Sequence, residues 1–448
     1  MSSSGLTRSL RLPHATALVV GTILGASVFV QVSELIEHVP RIWAVLLAWT
    51  VSGVLTLFGA LACAELSSAF PKTGGVYVFL KETYSPVAGF LWGWAMFWVM
   101  HSGIIAAMAT VFGRYAAFFF PLGDRGIRAV AVSAILAISA LNYVGVKRSS
   151  TVQTAFTIGK VLAVALIVVV GFTVGARLPE HFQQGADAAI EPQSFLLALI
   201  AGLFAFGGWH VVTYTAEETI NPERTIPRAL ALGIVIVTVC YVALNAVYFY
   251  ILPLARVEKS TRVAADAATM ILGAPGGAAI SGLVMFSVFG AMTGSILAAP
   301  RVYFAMARDG LLFRWVSVTH PHFQTPHRAI VMQAIWASVL VWSGTYRQLF
   351  TRVIFTEWIF FAMMAGGIFL LRRRPGYAPA YRVWGYPWVP AVFVIASATI
   401  VVNRLVSEPL DSAAGLALVA LGVPAYYFWA APRPRPASPQ AAPAAPSA

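Results

Sequence analysis

Lys160, Glu65, Glu357 and His101 each lie inside an apolar run of this chain. An ionisable group at membrane depth costs on the order of several kcal/mol unless it meets a partner or a water-filled cavity, so each residue implies a specific contact. None implies bond-making. The histidines lack metal-ligand spacing and no nucleophile stands beside a base near one interface, so no enzymatic activity, metal or cofactor is expected. What the chain offers instead is backbone chemistry. Gly21 to Phe29 reads G-T-I-L-G-A-S-V-F and Gly202 to Trp209 reads G-L-F-A-F-G-G-W, each within a spanning candidate. Glycine costs ~1 kcal/mol relative to alanine in a helix interior, and irregular backbone survives at membrane depth only inside protein or beside a cavity. Two interrupted helices in corresponding halves point to a solute site built from half-helix ends and freed backbone groups. Gly21 and Gly25 also satisfy the G-x-x-x-G spacing of tight helix packing; the pairing of the two breaks favours the broken-helix reading.

The ionisable residues differ in depth. Lys160 lies about a dozen residues into its helix, roughly 18 Å at the helical rise, which is far for a lysine stem to reach the interface, so a functional partner is expected. Glu65 sits in the last turns of its segment, where a carboxylate bonded to nearby backbone donors or reaching the cytoplasmic interface is the expected role. His101 and Ser102 read as hydrogen-bonded helix residues, Glu357 as either a proton carrier or a satisfied packing contact, and Trp92, Trp94 and Trp98 as the kind of residues that anchor at membrane interfaces.

The elements that position these residues follow from composition. The 448 residues are 59% hydrophobic and 10% charged, with a mean hydropathy of +0.78; this belongs in a lipid bilayer, not in a soluble domain. At about 20 apolar residues per span, the chain accommodates twelve helices, at about 13–37, 42–70, 86–118, a fourth ending near 145, 150–175, 194–218, 227–253, 277–307, 328–344, 348–371, 388–405 and 411–430. Pro222 and Pro227 read as stopping and restarting helices. The net charge of +13 is scattered through short loops, which argues against a nucleic-acid partner and, by its excess in inside loops, for cytoplasmic N- and C-termini in the plasma membrane. No cleavable signal peptide is expected. Cys63 and Cys240 fall in apolar runs, against a structural disulfide. Repeat one (about 13–175) and repeat two (about 194–371) each hold five helices and open on a break, so the second is inverted relative to the first; two helices at about 388–430 are appended. Residues 1–430 form one domain in this reading, and 431–448 is a disordered Pro/Ala-rich tail.

Several motifs resemble one known group, the amino acid, polyamine and organocation transporter superfamily, and within it the L-amino-acid transporter family. G-T-I-L-G-A-S-V-F resembles its first-helix pattern G-T-I-I-G-S-G-I-F. A-E-L with P-K-T-G-G-V-Y, G-L-F-A-F-G-G-W with E-E-T-I-N-P-E-R-T-I-P, R-V-Y-F-A-M-A-R-D-G-L-L and T-P-H-R-A resemble later motifs, so that the similarity covers about 10–430. The resemblance implies an all-α integral membrane protein of leucine-transporter type, a 5+5 inverted repeat plus two helices, working by alternating access. It implies that amides near Gly25, Ala26 and Ser27 receive a substrate carboxylate, and that carbonyls around Phe204, Ala205 and Gly207, with Ile23, receive the ammonium; Phe204 falls at an aromatic gate. Lys160 matches a lysine thought to stand in place of sodium, which implies sodium-independent transport of neutral L-amino acids, by exchange. A proton-coupled symporter or an amino acid/polyamine antiporter is the alternative, and a polytopic membrane enzyme the distant one. His210 stands where relatives often have Asn and is expected to act as a plain hydrogen-bonding group. Ser27 replaces a family glycine, which alters the site. No disulfide-linked subunit is expected, because the external cysteine of animal members has no counterpart between the third and fourth segments.

Overall fold

The computed structural model describes residues 5–25, 31–174, 190–260, 263–344 and 346–430. These residues are helical apart from loops and one isolated β-bridge, Leu10 to Thr219. The first half contains α1 (Leu12–Ile23), α2 (Val32–His38), α3 (Ile42–Ala69), α4 (Val76–Thr83), α5 (Pro86–Ala116), α6 (Asp124–Tyr143) and α7 (Val146–Val174). Next come α8 (Pro192–Ala205), a 3-10 helix (Trp209–Glu218), α9 (Pro222–Ile251), α10 (Leu254–Lys259), α11 (Val263–Leu272), α12 (Ala274–Ala298) and α13 (Pro300–Arg308). The last are α14 (His327–Ser343), α15 (Tyr346–Leu371), α16 (Trp388–Ser407), α17 (Pro409–Ala420) and α18 (Gly422–Ala430).

Among the described residues, 10 helices are long and apolar enough to cross a membrane. The first expected segment is divided into α1 and α2, and the ninth, α14, has 17 residues. The expected tail from 431 onward lies outside the described residues. Pro227 does not restart a helix. α9 begins at Pro222, whose missing N–H falls at a position with no intrahelical acceptor, and Pro227 is carried inside it. The short helices α4, α10 and α11 were not expected, since each is too brief for a spanning pattern.

α1 is contacted by α7, α9, α12 and the 3-10 helix, while α3 and α9 form the most extensive helix pair. α7 shows how the sequence arranges this. Ser149, Gln153, Thr157, Lys160 and Val164 recur at helical spacing and are buried, whereas Ile158, Leu162, Leu166 and Val169 on the opposite face are exposed. Such a polar-in, apolar-out helix is suited to lipid outside and a polar interior. Gln153 Nε2 and Thr157 Oγ1 reach the α1 carbonyl of Ala17 at 2.7 and 3.1 Å.

One end of the bundle gathers charge. Lys81 Nζ and Tyr77 Oη both donate to Asp309, at 2.7 and 2.6 Å, and Arg308 pairs with Glu217 at 3.2 Å. Glu65 meets its expected structural role through a partner that lies far away in sequence. Arg372 donates Nε and a terminal nitrogen to its two oxygens at 3.0 and 2.6 Å, and the Val383 N–H adds a third bond at 2.6 Å. Tyr377 also donates to Glu65, and burial followed by that carboxylate pushes its phenol well above the ordinary range. At the same end, the N–H groups of Ser9 and Leu10 both donate to the Glu218 carbonyl at 2.9 Å, and the Ile220 N–H donates to Leu10 O at 2.8 Å.

Candidate functional site

Both expected breaks exist, and in each the glycines divide two tasks. α1 stops at Ile23; Leu24 leaves the helical region, and the Gly25 N–H turns to Ile23 O at 2.7 Å. A Cβ at Gly25 would meet nothing closer than 3.8 Å, whereas one at Gly21 would stand 2.2 Å from Thr157 Oγ1 and 2.3 Å from Gln153 Nε2. Gly21 is therefore a packing glycine and Gly25 part of the break, so both readings of the G-x-x-x-G spacing hold at different residues. The second break repeats the pattern. α8 runs through Gly202, where a Cβ would lie 2.3 Å from Ser52 Oγ, and the chain opens at residues 206–208, with Gly208 at φ +94°. Only glycine adopts that conformation without strain.

Gly21→Ala is expected to lower the melting temperature in detergent by the ~1–3 kcal/mol of an overpacked contact, while Gly25→Ala stays near the parent. Equal losses at the two positions would contradict this division.

Breaking a helix frees carbonyls, and the structure accounts for most of those freed here. In a continuous helix Gly21 O would accept from Gly25 N; instead Lys160 Nζ donates to Gly21 O at 2.9 Å and to Leu24 O at 2.8 Å, with the lysine 2% exposed. Ser287 Oγ covers Leu24 O and Gly25 O at 3.1 and 3.3 Å. Ala205 O, freed by the second break, accepts from Tyr241 Oη at 2.8 Å, and the same hydroxyl reaches Ile23 O at 3.2 Å. Thr22 Oγ1 lies 3.2 Å from Gly208 O. The two breaks thus touch each other directly and through Tyr241.

Of the residues named from the sequence, the structure brings Ile23, Gly25, Ala205, Gly207 and Lys160 into this region. Gly207 N–H bonds Phe204 O at 3.0 Å, and the half-buried Phe204 ring meets Trp358 edge-on at 6.0 Å. Ala26 and Ser27 lie outside the described residues. Tyr241 and Ser287 were not foreseen, although a hydroxyl in an apolar spanning run carries the same demand for a partner that singled out Lys160.

His210 departs from expectation. Among the described residues neither of its ring nitrogens has a hydrogen-bond partner; Nε2 lies 3.6 Å from Glu357 Oε1, and Trp92, Tyr214 and Phe361 pack around the ring. Trp92 is fully buried in this cluster and is no interface anchor. Ser102 is hydrogen-bonded as expected, to Phe97 O at 2.6 Å, across a π-helical turn at Met96–Met100 that the sequence did not announce. Cys63 and Cys240 are both buried free thiols.

Comparison with known proteins accords with this arrangement. The chain is 34% identical to a serine/threonine exchanger of Bacillus subtilis over 95% of its own length and 97% of the relative. It is 30% identical to the rabbit (Oryctolagus cuniculus) large neutral amino acids transporter small subunit 2, over 94% of the chain and 80% of the relative. A human cystine/glutamate transporter is 29% identical, over 95% and 85%. The resemblance drawn from motifs between about 10 and 430 is borne out, because residues 10–424 match the amino acid permease family as a whole. With its apolar spans and paired broken helices, the chain belongs to the amino acid permease family of multi-pass membrane transporters, within the amino acid, polyamine and organocation superfamily.

Proposed function

We propose that this protein is a sodium-independent exchanger of neutral L-amino acids, working by alternating access around the two breaks. The observation that carries the proposal is Lys160. Its ammonium is held by two carbonyls of the first break, so a fixed cation stands where a site of freed carbonyls would otherwise favour a monovalent ion. Glu357, on the stretch of α15 next to the candidate gate, faces His210 and not Phe204, which favours a substrate without a second positive charge over a polyamine. The relatives are named for serine and threonine, for cystine and glutamate, and for large neutral amino acids, so an amino acid is what they share.

In this reading Gly25, Ala26 and Ser27 bind the substrate carboxylate, and carbonyls of Ile23, Phe204, Ala205 and Gly207 take the ammonium. The Gly25 amide and the Ile23 and Ala205 carbonyls are engaged within the protein; substrate binding therefore exchanges these bonds for bonds to the solute. The twelve-helix count, the inverted 5+5 repeat and the single domain over 1–430 belong to the same proposal, as do cytoplasmic termini. The end of the bundle carrying Lys81, Arg308, Arg372 and Arg374 is the inside, as a positive-inside bias requires. No covalently attached subunit is part of it, since Cys63 and Cys240 are buried.

Purified protein in liposomes loaded with an amino acid is expected to take up labelled serine, threonine or a larger neutral amino acid at the same rate with and without sodium. Uptake that requires a sodium gradient, or no amino acid flux in a full counterflow screen, would overturn the proposal.

A further inference from the structure

We propose that His210 and Glu357, together with His101, form a proton-binding site that ties the second broken helix to pH, so that transport carries or is gated by one proton. This rests on the transporter reading but is not contained in it, since an exchanger of zwitterions needs no titrating group. His210 stands two residues after the break at residues 206–208 and is 1% exposed; Glu357 is 7% exposed and His101 5%. Both ring nitrogens of His210 and Nε2 of His101 have no partner among the described residues. A buried ring nitrogen without a partner is costly, and such groups persist where they do a task. The Nε2 to Oε1 separation of 3.6 Å is closed by a small side-chain movement, as for acid–base pairs that tighten only in the working state.

The surroundings fit a proton and little else. The two imidazoles stack with centroids 6.5 Å apart and an interplanar angle of 17°, too far apart to converge on one metal ion. The π-helical turn at Met96–Met100 sets His101 directly after it, and such turns cluster at functional positions. Tyr303 Oη lies 3.5 Å from His101 Nδ1. Through that contact and the ring stacking, Tyr303, His101 and His210 form one buried cluster beside the second break. The titratable groups facing the pair are His101 from α5, Tyr214 from the 3-10 helix, Tyr303 from α13 and, beside Tyr214, Cys63 from α3. In the transfer step one proton from water binds between His210 Nε2 and Glu357 Oε1; the pair's charge changes from −1 to 0, and the proton leaves to water when the site opens to the other side. No other bond is made or broken.

The test is counterflow in liposomes across roughly pH 5 to 8, with wild type, Glu357→Gln and His210→Asn. Wild-type exchange is expected to change by up to roughly tenfold per pH unit on one side of its midpoint, and whatever rate each variant retains is expected to be flat over the same window. Amino acid flux with an identical pH profile in all three proteins overturns the proton site and leaves the exchanger reading standing. Absence of flux in the wild type overturns the exchanger reading instead; the proton site is then judged by infrared difference spectra between acid and neutral pH, where a protonated-carboxyl band absent from Glu357→Gln supports it and an unchanged spectrum refutes it.

Discussion

Lys160→Ala is expected to reduce amino acid flux by one to two orders of magnitude while leaving a folded, monodisperse protein. The ammonium makes two charge-assisted bonds, to Gly21 O and Leu24 O. Bonds to charged groups contribute ~1.5–3 kcal/mol each, and ~1.4 kcal/mol is a factor of ten. Losing them leaves Gly21 O without its donor and Leu24 O with Ser287 alone, and removes the tie that fixes where α1 opens. Gly290 makes the room for this lysine: a Cβ there would lie 2.9 Å from Lys160 Cε. Lys160→Met, which keeps most of the stem volume, is expected to fail nearly as badly, because the charge and not the packing holds the break. Counterflow rates at equal reconstitution measure both. Wild-type flux in Lys160→Ala would mean that the lysine only fills space.

The second large effect concerns stability. Arg301 and Glu218 are both 0% exposed, and the guanidinium grips the carboxylate through Nε at 2.8 Å and a terminal nitrogen at 2.9 Å. The other terminal nitrogen covers the carbonyl of Leu297, next to the α12–α13 kink at Pro300. Removing one member strands a buried charge at a cost of ~3–5 kcal/mol, while replacing both with apolar residues of similar volume is often neutral. Arg301→Met is therefore expected to show a steep loss of thermal stability in detergent, and Arg301→Met combined with Glu218→Leu a substantial recovery. If the double variant melts below both single variants, the pair contributes through more than mutual neutralisation.

The breaks and Lys160 were legible because both are violations: a helix former replaced by glycine, and a charge where lipid forbids one. Violations announce that a partner exists without naming it. Glu65 and Arg372 are 307 positions apart, and nothing local to either predicts the other. His210 and Glu357 were both singled out, yet only the fold places them side by side. Gly202 opens the motif of the second break yet lies within α8, and composition cannot distinguish a glycine that yields conformational freedom from one that yields space; Ser52 across the helix interface decides it. The π-helical turn at Met96–Met100 has no compositional signal. Pro227 shows the reverse error, for a proline that read as a restart is carried inside α9.

The backbone pairing of Ser9 and Leu10 with Glu218 and Ile220 has a mechanical consequence. It fastens the start of α1 to the far end of the 3-10 helix, while Thr22, near the other end of α1, meets Gly208 O at the head of that 3-10 helix. Two attachments along their length make a single lever of them. Neither can tilt without dragging the other, so under the proposed alternating access the two would move as one body.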